Sequence, residues 1–576
     1  MKINEYCKNL YSAVEQAKTN KLEKIAFIFF CFFVILVSFF HEPWFDEFQS
    51  WGISKDSLYN ILFVIPHYEG HTPLWYLIIK CFSIFNVNPE LCLKIPNLVF
   101  TALGTWILIF KSPFPRTVRL LLPFTYFIFY QYGVISRPYS LFYLALMLCA
   151  ACFNTRNTKP FRYACILSLL ALSSVQGLAL TAGITIAWGL EQLDFKNIGR
   201  SFISYIKSRQ FFASLILFAI CAVILVCIFP NGKNTALSLI AFLTLWQKIL
   251  FCLFGIISES LIFNLVPIHT FMSDFFDNSY NVIYGIYFIL SLCFGLFVLV
   301  FLTKILNKTK TSGYFLIPYI IFSTMFYAYY NSHNSGLLFL VIIFCLWISY
   351  DKLILLLSKK EKCILKILTV LVLSVQLIWG FASGYEDIFT PYDISRAAAN
   401  YILKHELYKY KVFAGGWNTH YYLDESGKPV INDYIIRTID NTNDKRYKRV
   451  PADFNNMHLA VITIPYFNKN IYYNFNTGFE EKLYSLHKAV NDAEMNDMFQ
   501  KWREYGLPDV IIGKVNFKEV YGNEMISDDY ILIENFSNGS IWKGFTNKNS
   551  VVNVPLYLHK DLYKKLDYKK YLNEEK

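Results

Sequence analysis

Long apolar runs separated by short basic connections dominate this sequence and limit the folds open to it. The chain is 55% hydrophobic and 18% aromatic over 576 residues, which exceeds the apolar share of about 45–50% found in soluble domains. Each run approaches the roughly 17–25 residues that a membrane-spanning helix needs. The sequence therefore predicts a polytopic α-helical membrane protein with about eleven transmembrane helices. The runs cover 24–40, 95–110, 119–135, 139–153, 161–175, 177–190, 211–229, 282–303, 314–330, 335–350 and 363–383.

Lysine and arginine in the short connections predict the orientation of these helices, because basic residues are retained on the cytoplasmic side. Lysines before the first run place the N-terminal segment 1–23 in the cytoplasm. Basic loops recur after every second run, and this parity holds only if 237–262 makes no net crossing. That stretch is therefore predicted to be re-entrant, interfacial or a pair of tight spans. We expect the outer side to hold the first loop at 41–94, the turn at 331–336 and everything after the last run.

The formal charge of +12 does not indicate a nucleic-acid partner, because much of the Lys and Arg excess lies in the inner loops. Membrane topology and anionic lipids account for it. All thirteen cysteines lie between Cys7 and Cys363, mostly in apolar runs, so neither a disulfide framework nor a zinc site is predicted. We expect membrane lipids, and no nucleic acid, among the partners.

The long apolar runs stop after Ser383, which divides the chain into a transmembrane module at 24–383 and an outer domain at 384–576. Helical patterning over 393–408 is followed by short β-like runs, the alternation expected of a small α/β layer fold. This domain contains no Gly-rich phosphate-binding fingerprint. The β-like runs are 411–414, 459–464 and 509–513.

The first outer loop carries two adjacent acids, Asp46 and Glu47, close behind the first apolar run. If the segment that starts at Trp44 is helical, Trp44, Phe48 and Trp51 share one face, and Asp46 points away from it. This predicts a helix at the membrane surface, with its aromatic rings in the interface and its carboxylate turned toward protein. The alternative is an amphipathic connector whose acids only cap the helix. Ionisable groups beside a membrane usually mark a functional site.

Three segments carry a family resemblance: Trp44-Phe45-Asp46-Glu47, Tyr68-Glu69-Gly70-His71-Thr72-Pro73-Leu74-Trp75-Tyr76 and Ser136-Arg137-Pro138-Tyr139-Ser140-Leu141. They resemble the GT-C superfamily of polyprenyl-phosphate-sugar-dependent glycosyltransferases, in the bacterial membrane branch similar to the protein O-mannosyltransferase and aminoarabinose-transferase families. The resemblance implies an essential acidic motif in the first outer loop, a lipid-linked sugar donor, an external α/β or β-rich domain and a bacterial plasma-membrane location. Many relatives have Lys-Pro-Pro-Leu where this chain has His71-Thr72-Pro73-Leu74, and no sugar-specificity signature matches.

The chemistry of sugar transfer assigns roles to these residues. Transfer from a lipid phosphate to a hydroxyl passes through an oxocarbenium-like transition state, and it needs a base near the hydroxyl and positive charge near the phosphate. Asp46 is the predicted general base, with Glu47 orienting it or binding the acceptor. Arg137 is predicted to bind the phosphate through its planar fork, and Tyr139 to add a hydroxyl contact. The alternative for Arg137 is an arginine that snorkels to the interface.

A second cluster follows in the same loop. Glu69 is a further catalytic candidate, and His71 and Trp75 are assigned to substrate binding. Pro66, Gly70 and Pro73 argue against a helix there, so His67 and His71 need not share a face. One hypothesis is a Mg²⁺ or Mn²⁺ ion held by Asp46, Glu69 and His71. The alternative is a neutral His71 that hydrogen-bonds the loop backbone. His333 is either a phosphate ligand or a turn cap.

The sequence thus predicts a membrane glycosyltransferase that moves a sugar from a polyprenyl-phosphate carrier to a hydroxyl of a glycan, lipid or protein on the outer face. The rival hypothesis is a polytopic transporter or lipid flippase, in which the same ionisable residues form a substrate path. Transporters commonly show internal repeats and charged or broken helices at the midplane. No repeat is visible here, and the acids cluster at one face. A third hypothesis, a non-catalytic scaffold, would make Asp46 dispensable.

Overall fold

A computed structural model shows most of the chain as helices, with a small sheet near the C-terminal end. The structure describes residues 2–85, 87–194, 196–229, 244–262, 280–328, 330, 332–416, 420–423, 446, 448–451, 458–467, 469–475, 492–515, 517–521, 528–537 and 553–566. Residues 237–243 of the predicted re-entrant stretch and Asn331 of the predicted outer turn lie outside these ranges.

The helices and strands have the following bounds. The helices are α1 (Lys2–Phe40), α2 (Phe45–Lys55), α3 (Pro66–Glu69), α4 (Leu74–Ser83), α5 (Pro89–Lys111), α6 (Arg116–Leu121), α7 (Tyr139–Cys152), α8 (Pro160–Ser173), α9 (Val175–Glu191), α10 (Ile198–Ile206), α11 (Arg209–Ile228), α12 (Leu245–Leu250), α13 (Ile256–Leu261), α14 (Tyr280–Lys308), α15 (Gly313–Ala328), α16 (Ser335–Leu356), α17 (Lys359–Phe389), α18 (Ser395–Lys404), α19 (His458–Phe467), α20 (Asp492–Tyr505), α21 (Phe517–Tyr521) and α22 (Lys560–Lys565). The strands are β1 (Val412–Ala414), β2 (His420–Leu423), β3 (Lys448–Pro451), β4 (Val510–Ile512), β5 (Tyr530–Ser537) and β6 (Asn553–His559).

Within the described ranges, six helices are long and apolar enough to cross a membrane. They expose large apolar side chains, such as Phe218 at 69% and Phe381 at 74%. Such surface is expected where lipid, rather than water, surrounds a helix. The structure is that of a helical, membrane-embedded protein, as the composition predicts. The six helices are Lys21–Phe40, Pro89–Lys111, Arg209–Ile228, Ile286–Lys308, Ser335–Leu356 and Lys359–Phe389.

The other five predicted spans correspond to shorter or broken helices. Four of them form α7, α8, α9 and α15, which have 14 to 17 residues each. The run at 119–135 is divided into α6, a 3₁₀ turn and a π-helical turn. Pro123 lies in that 3₁₀ turn, where its missing N–H and its ring disfavour a continuous helix. The total of about eleven spans therefore stays a prediction.

The described part of the predicted re-entrant stretch is helical throughout. A π-helical turn at Phe251–Gly255 joins α12 to α13, and α14 packs against this turn. The approach of α14 is close, because a Cβ built on Gly295 would lie 1.8 Å from the carbonyl oxygen of Phe254. The topology of this stretch across the membrane stays a prediction.

The C-terminal region forms a four-stranded sheet in the order β1-β4-β6-β5. β1 runs parallel to β4, and the other pairs are antiparallel. β1 and β4 lie within two of the predicted β-like runs. The strand expected at 459–464 is wrong, because these residues belong to α19. The side chains of this apolar run are buried on every side, and such a run lacks the alternation that separates a strand from a buried helix.

Two large hydrophobic cores organise the described residues. The first lies between the membrane helices. The second joins the loop at 41–94 to the C-terminal sheet and includes Phe48, Trp51 and Trp75 together with residues of α19. Phe48 is 1% exposed and Trp51 is 2% exposed, so the expectation that these rings lie in the membrane interface is wrong. The helix α19 packs on α2 and covers the aromatic face that lipid would contact in the predicted arrangement.

Candidate functional site

The acidic segment forms the first turn of α2, which begins at Phe45 after the extended residue Trp44. The backbone N–H of Trp44 donates to Oε2 of Glu47 at 3.1 Å. A glutamate at this third helical position satisfies an N–H that the helix itself leaves unpaired. The capping role that the sequence offered as an alternative therefore applies to Glu47. Asp46, one residue earlier, takes no part in that hydrogen bond and meets a different partner.

Asp46 and Arg137 come together in the structure, although they lie far apart in the sequence. Oδ2 of Asp46 lies 3.1 Å from Nη1 of Arg137, and the two side chains are 29% and 9% exposed. Burial lowers the pKa of Arg137, but the Asp46 carboxylate and the Tyr139 hydroxyl outweigh burial and raise it overall. The pair therefore forms a charged contact that is buried on the arginine side and partly open on the aspartate side.

The turn that carries Arg137 is held by α5 and α2. Asn97 of α5 donates to the carbonyl of Gly133 at 2.7 Å, and Thr101 donates to the carbonyl of Tyr132 at 3.2 Å. The N–H of Ser136 donates to Oε1 of Glu47 at 2.6 Å. Side chains of two helices thus satisfy backbone groups of this buried turn, as buried polar groups require. These side chains therefore fix the backbone that carries the Arg137 guanidinium.

Tyr139 and His333 lie beside Arg137. The hydroxyl of Tyr139 donates to Oδ1 of Asn334 at 2.8 Å and is also hydrogen-bonded to the Arg137 guanidinium. The ring of His333 lies 5.9 Å from the ring of Tyr139, and its backbone carbonyl accepts from Tyr132 at 3.0 Å. Tyr139 therefore contacts the Arg137 guanidinium, and His333 borders this pair from the turn just before α16; their roles toward a phosphate stay predictions.

His71 faces the ion pair. Burial and the positive charge of Arg137 lower its pKa to about 4, against the opposing effect of Asp46. The imidazole is therefore neutral at physiological pH, as one sequence hypothesis held. Its Nδ1 atom is buried and has no hydrogen-bond partner within the described residues, so the expected bond to the loop backbone is not formed by that atom. A neutral imidazole with a vacant nitrogen can accept from, or donate to, a hydroxyl.

The remaining residues of the second cluster point elsewhere. Pro66–Glu69 forms one helical turn with proline at its first position and Gly70 as a left-handed cap at φ 67°, so a short helix exists where none was expected. Nδ1 of His67 donates to the carbonyl of Phe229 at 2.7 Å. The side chains of His67 and His71 therefore meet different groups. Oε1 of Glu69 accepts from Gln49 at 3.4 Å.

Two sequence assignments find no support in these positions. In the part of the chain that the structure describes, no three His, Cys, Asp or Glu side chains form a group that could hold a metal ion. The proposed Mg²⁺ or Mn²⁺ set of Asp46, Glu69 and His71 is therefore not assembled, and Asp46 pairs with Arg137 instead. Trp75 is 1% exposed and belongs to the second core, so it stabilises the loop from below.

His41 is the main site residue that sequence reasoning missed. It follows α1 directly, its side chain is fully buried, and its Nε2 lies 3.0 Å from Oε2 of Glu47. Its Nδ1 lies 2.8 Å from Oδ2 of Asp387 near the end of α17. Burial lowers the pKa of His41, but the two carboxylates outweigh it and raise the pKa to about 9. An ionisable residue at the end of an apolar run is costly without a partner, but the sequence does not show which carboxylates pair with His41.

A second charged cluster ties the C-terminal region to the ends of α1 and α5. Arg396 donates to both carboxylate oxygens of Glu90, at 2.7 Å and 2.5 Å, and to the carbonyl of His41 at 3.0 Å. Lys94 also donates to Glu90 at 2.5 Å and to the carbonyl of His41 at 2.8 Å. Such forked arginine contacts fix geometry as well as charge. These contacts anchor the C-terminal region at the backbone of His41 itself.

The chain matches no protein-family model, no curated protein sequence and no solved structure. The resemblance to glycosyltransferases therefore rests on the three sequence segments, and the function is inferred from the side chains that those segments bring together.

Proposed function

We propose that this protein is a membrane glycosyltransferase that moves a sugar from a polyprenyl-phosphate carrier to an acceptor hydroxyl on a glycan, lipid or protein. The observation that carries the proposal is the Asp46–Arg137 contact at 3.1 Å. It joins an acid and a phosphate-binding cation from two of the segments that resemble such enzymes, and the third segment adds His71. A carboxylate beside a guanidinium and a neutral imidazole provides the groups that glycosyl transfer from a phosphate needs.

Arg137 is the proposed ligand of the carrier phosphate. Its guanidinium presents several N–H donors in a plane, which suits two phosphate oxygens at once. The Nη1 atom of this guanidinium lies 3.1 Å from Oδ2 of Asp46. An arriving phosphate would compete with Asp46 for the guanidinium. Donor binding would thus release the carboxylate at the moment when a base is required.

Asp46 is the proposed base. As the acceptor oxygen attacks the anomeric carbon, its proton passes to Asp46, a new carbon–oxygen bond forms, and the bond from carbon to phosphate oxygen breaks. The electron pair of the broken bond stays on the carrier phosphate, where Arg137 stabilises it. The vacant nitrogen of His71 is placed to hold the acceptor hydroxyl. The positive charge of Arg137 stabilises the ionised carboxylate of Asp46 and so weakens it as a base, which is why the release described above matters for catalysis.

Glu47 has a different role from the one expected. Its two oxygens accept from the backbone N–H of Trp44, from Ser136 and from His41, and its side chain is fully buried. A carboxylate committed to three protein donors is poorly placed to take a proton from an acceptor. Glu47 therefore holds the site in place. Glu69, whose carboxylate accepts from Gln49, is then the remaining candidate for a second catalytic acid.

The proposal includes the predicted orientation, with the site on the outer face of a bacterial plasma membrane and the C-terminal region as an outer α/β domain. The structure supports a common side for these parts, because the end of α1, the start of α5, the end of α17 and the C-terminal region meet at one place. The basic loops of the sequence assign the opposite side to the cytoplasm. The proposed total remains about eleven spans, including the shorter apolar helices.

The test is transfer of radiolabelled sugar from polyprenyl-phosphate carriers to a panel of hydroxyl acceptors by purified protein in detergent. Asp46→Asn keeps the shape of the side chain and removes its basicity. We expect turnover to fall about 10²–10⁴-fold, the usual contribution of a positioned base. Glu406→Gln, at an exposed pair with Lys409, is the matched control and should transfer normally.

Two outcomes would overturn the proposal. Normal turnover in Asp46→Asn would remove Asp46 from the reaction and move the base to Glu69. Absence of transfer by the wild-type protein with every carrier, together with movement of a labelled lipid or solute across reconstituted vesicles, would identify a transporter or flippase instead.

A further inference from the structure

The buried contact of His41 with two carboxylates is not used by the proposed reaction. One ring nitrogen lies 3.0 Å from Glu47 and the other lies 2.8 Å from Asp387. The side chains of His41 and Glu47 are 0% exposed, and that of Asp387 is 3% exposed. The partners of this imidazole are Glu47 and Asp387, so we look to them for its effect on the ion pair of Asp46 and Arg137.

The geometry itself fixes the protonation state of His41. An ionised carboxylate only accepts hydrogen bonds, whereas a neutral imidazole carries a single N–H. Two ionised carboxylates at hydrogen-bond distance from the two ring nitrogens therefore favour the imidazolium form, which donates to both. Such charge-assisted bonds are stronger and more directional than neutral ones. The imidazolium thus clamps two helices together, at the start of α2 and near the end of α17.

Glu47 passes this constraint on to the proposed phosphate ligand. Its Oε2 atom is held by His41, while its Oε1 atom accepts from the N–H of Ser136 at 2.6 Å. Ser136 directly precedes Arg137, and the N–H of Arg137 in turn donates to the carbonyl of Ile135 at 3.0 Å. A rotation of the Glu47 carboxylate would therefore release the turn that aims the guanidinium.

We infer that His41 and Asp387 are positioning residues: through Glu47 they fix the backbone at Ser136 and thereby the direction of Arg137. The direction of Arg137 therefore depends on α17, the helix that leads into the C-terminal region. The ring of Tyr392, just beyond α17, packs on His41 with 4.7 Å between ring centroids, so the first residues after the last long membrane helix also contact the clamp. The effect on turnover rests on the proposed function, whereas the effect on the Ser136 turn does not.

Hydrogen exchange tests the structural part without any activity. Deuterium uptake by the segment 133–138 is measured in His41→Gln, Asp387→Asn and wild-type protein in detergent. Both variants should exchange at least about tenfold faster in this segment, since the Ser136 amide is protected through Glu47. His67→Gln, which removes a histidine whose Nδ1 donates to the carbonyl of Phe229, should exchange like wild type. Unchanged protection of this segment in both variants would overturn the inference.

Kinetics test the functional part. A misdirected Arg137 should raise KM for the lipid-phosphate donor about tenfold or more and change kcat less. General loss of folded enzyme would instead lower kcat at constant KM, and that result in both variants would overturn the positioning role. The double variant Glu47→Gln with His41→Gln should raise KM little more than Glu47→Gln alone, because the effects of substitutions in one hydrogen-bond network are not additive. If wild-type protein transfers no sugar, the proposed function fails, and hydrogen exchange still decides the inference.

Discussion

Glu47→Gln should destabilise the protein strongly, although it replaces a side chain by one of the same size. The carboxylate of Glu47 accepts from three donors, His41 at 3.0 Å, the Trp44 N–H at 3.1 Å and the Ser136 N–H at 2.6 Å. A glutamine amide has one oxygen that accepts and one nitrogen that only donates. Whichever way it is turned, its NH₂ group faces at least one buried donor, and the imidazolium loses one of its two counter-charges.

The magnitude follows from this burial. Removal of one partner of a buried ion pair costs about 3–5 kcal/mol. His41 retains Asp387 at 2.8 Å, so we expect the lower end of that range, about 3 kcal/mol. At about 1.4 kcal/mol for each factor of ten, this raises the unfolded fraction on the order of a hundredfold.

The assay is thermal unfolding of purified protein in detergent, followed by tryptophan fluorescence, with Glu406→Gln as the exposed control. Glu47→Gln should melt several degrees below wild type, whereas Glu406→Gln should melt at the wild-type temperature. Asp46→Asn should lie between them, because the Asp46 side chain is 29% exposed. A Glu47→Gln protein that melts within one degree of wild type would refute the view that Glu47 holds the Ser136 turn.

Further predictions concern charge, packing and the domain contact. His41 holds its proton more tightly in the folded protein, where its pKa is raised from 6.5 to about 9. Its contribution to the free energy of unfolding, on the order of 3 kcal/mol, is therefore complete below pH 6.5 and is lost as pH rises through 9. Chemical unfolding across this range should show the decline. Arg137→Lys should raise donor KM, because an ammonium cannot fork onto phosphate, and a wild-type KM would make Arg137 an interface anchor. Gly336→Ala should cost roughly 1–3 kcal/mol, since its Cβ would lie 2.1 Å from Phe127, whereas Gly199→Ala, with open space around it, should not destabilise in the same melting assay. Arg396→Met should speed tryptic removal of the C-terminal region, because it loses the fork to Glu90; an unchanged digestion rate would contradict this.

The sequence predicts the membrane class well, because lipid requires long apolar runs and those runs are visible without any tertiary information. The spacing of Trp44, Phe48 and Trp51 suits the helix that the structure has as α2, and in such a helix Asp46 points away from their shared face. It does not predict what covers the other face of α2. Phe48 and Trp51 suit a lipid surface and a protein core equally well by composition, and only the tertiary fold, which lays α19 over them, decides between the two.

The site shows the same limit in its charged residues. Asp46 and Arg137 are recognisable separately, since each stands at the end of an apolar run, but their contact depends on a turn held by Glu47 and Asn97. Spacing in the sequence contains no information about that turn. His41 was missed because a single histidine after an apolar run indicates little until its second carboxylate, on the distant helix α17, is brought beside it. Long-range ion pairs of this kind follow from the tertiary fold.

The packing of α2 beneath α19 also constrains how the protein is made. Phe45 stacks on His458 with 4.0 Å between ring centroids, and Phe48 meets Tyr466 at 5.4 Å. A ribosome that has finished α2 must still synthesise every remaining membrane helix before the residues that bury these rings exist. The acidic loop is thus translated early and is among the last parts of the chain to reach its final surroundings. A chain that stops before His458 leaves Phe48 and Trp51 uncovered, and exposed apolar surface of this kind makes a nascent protein prone to aggregation and to removal by proteases.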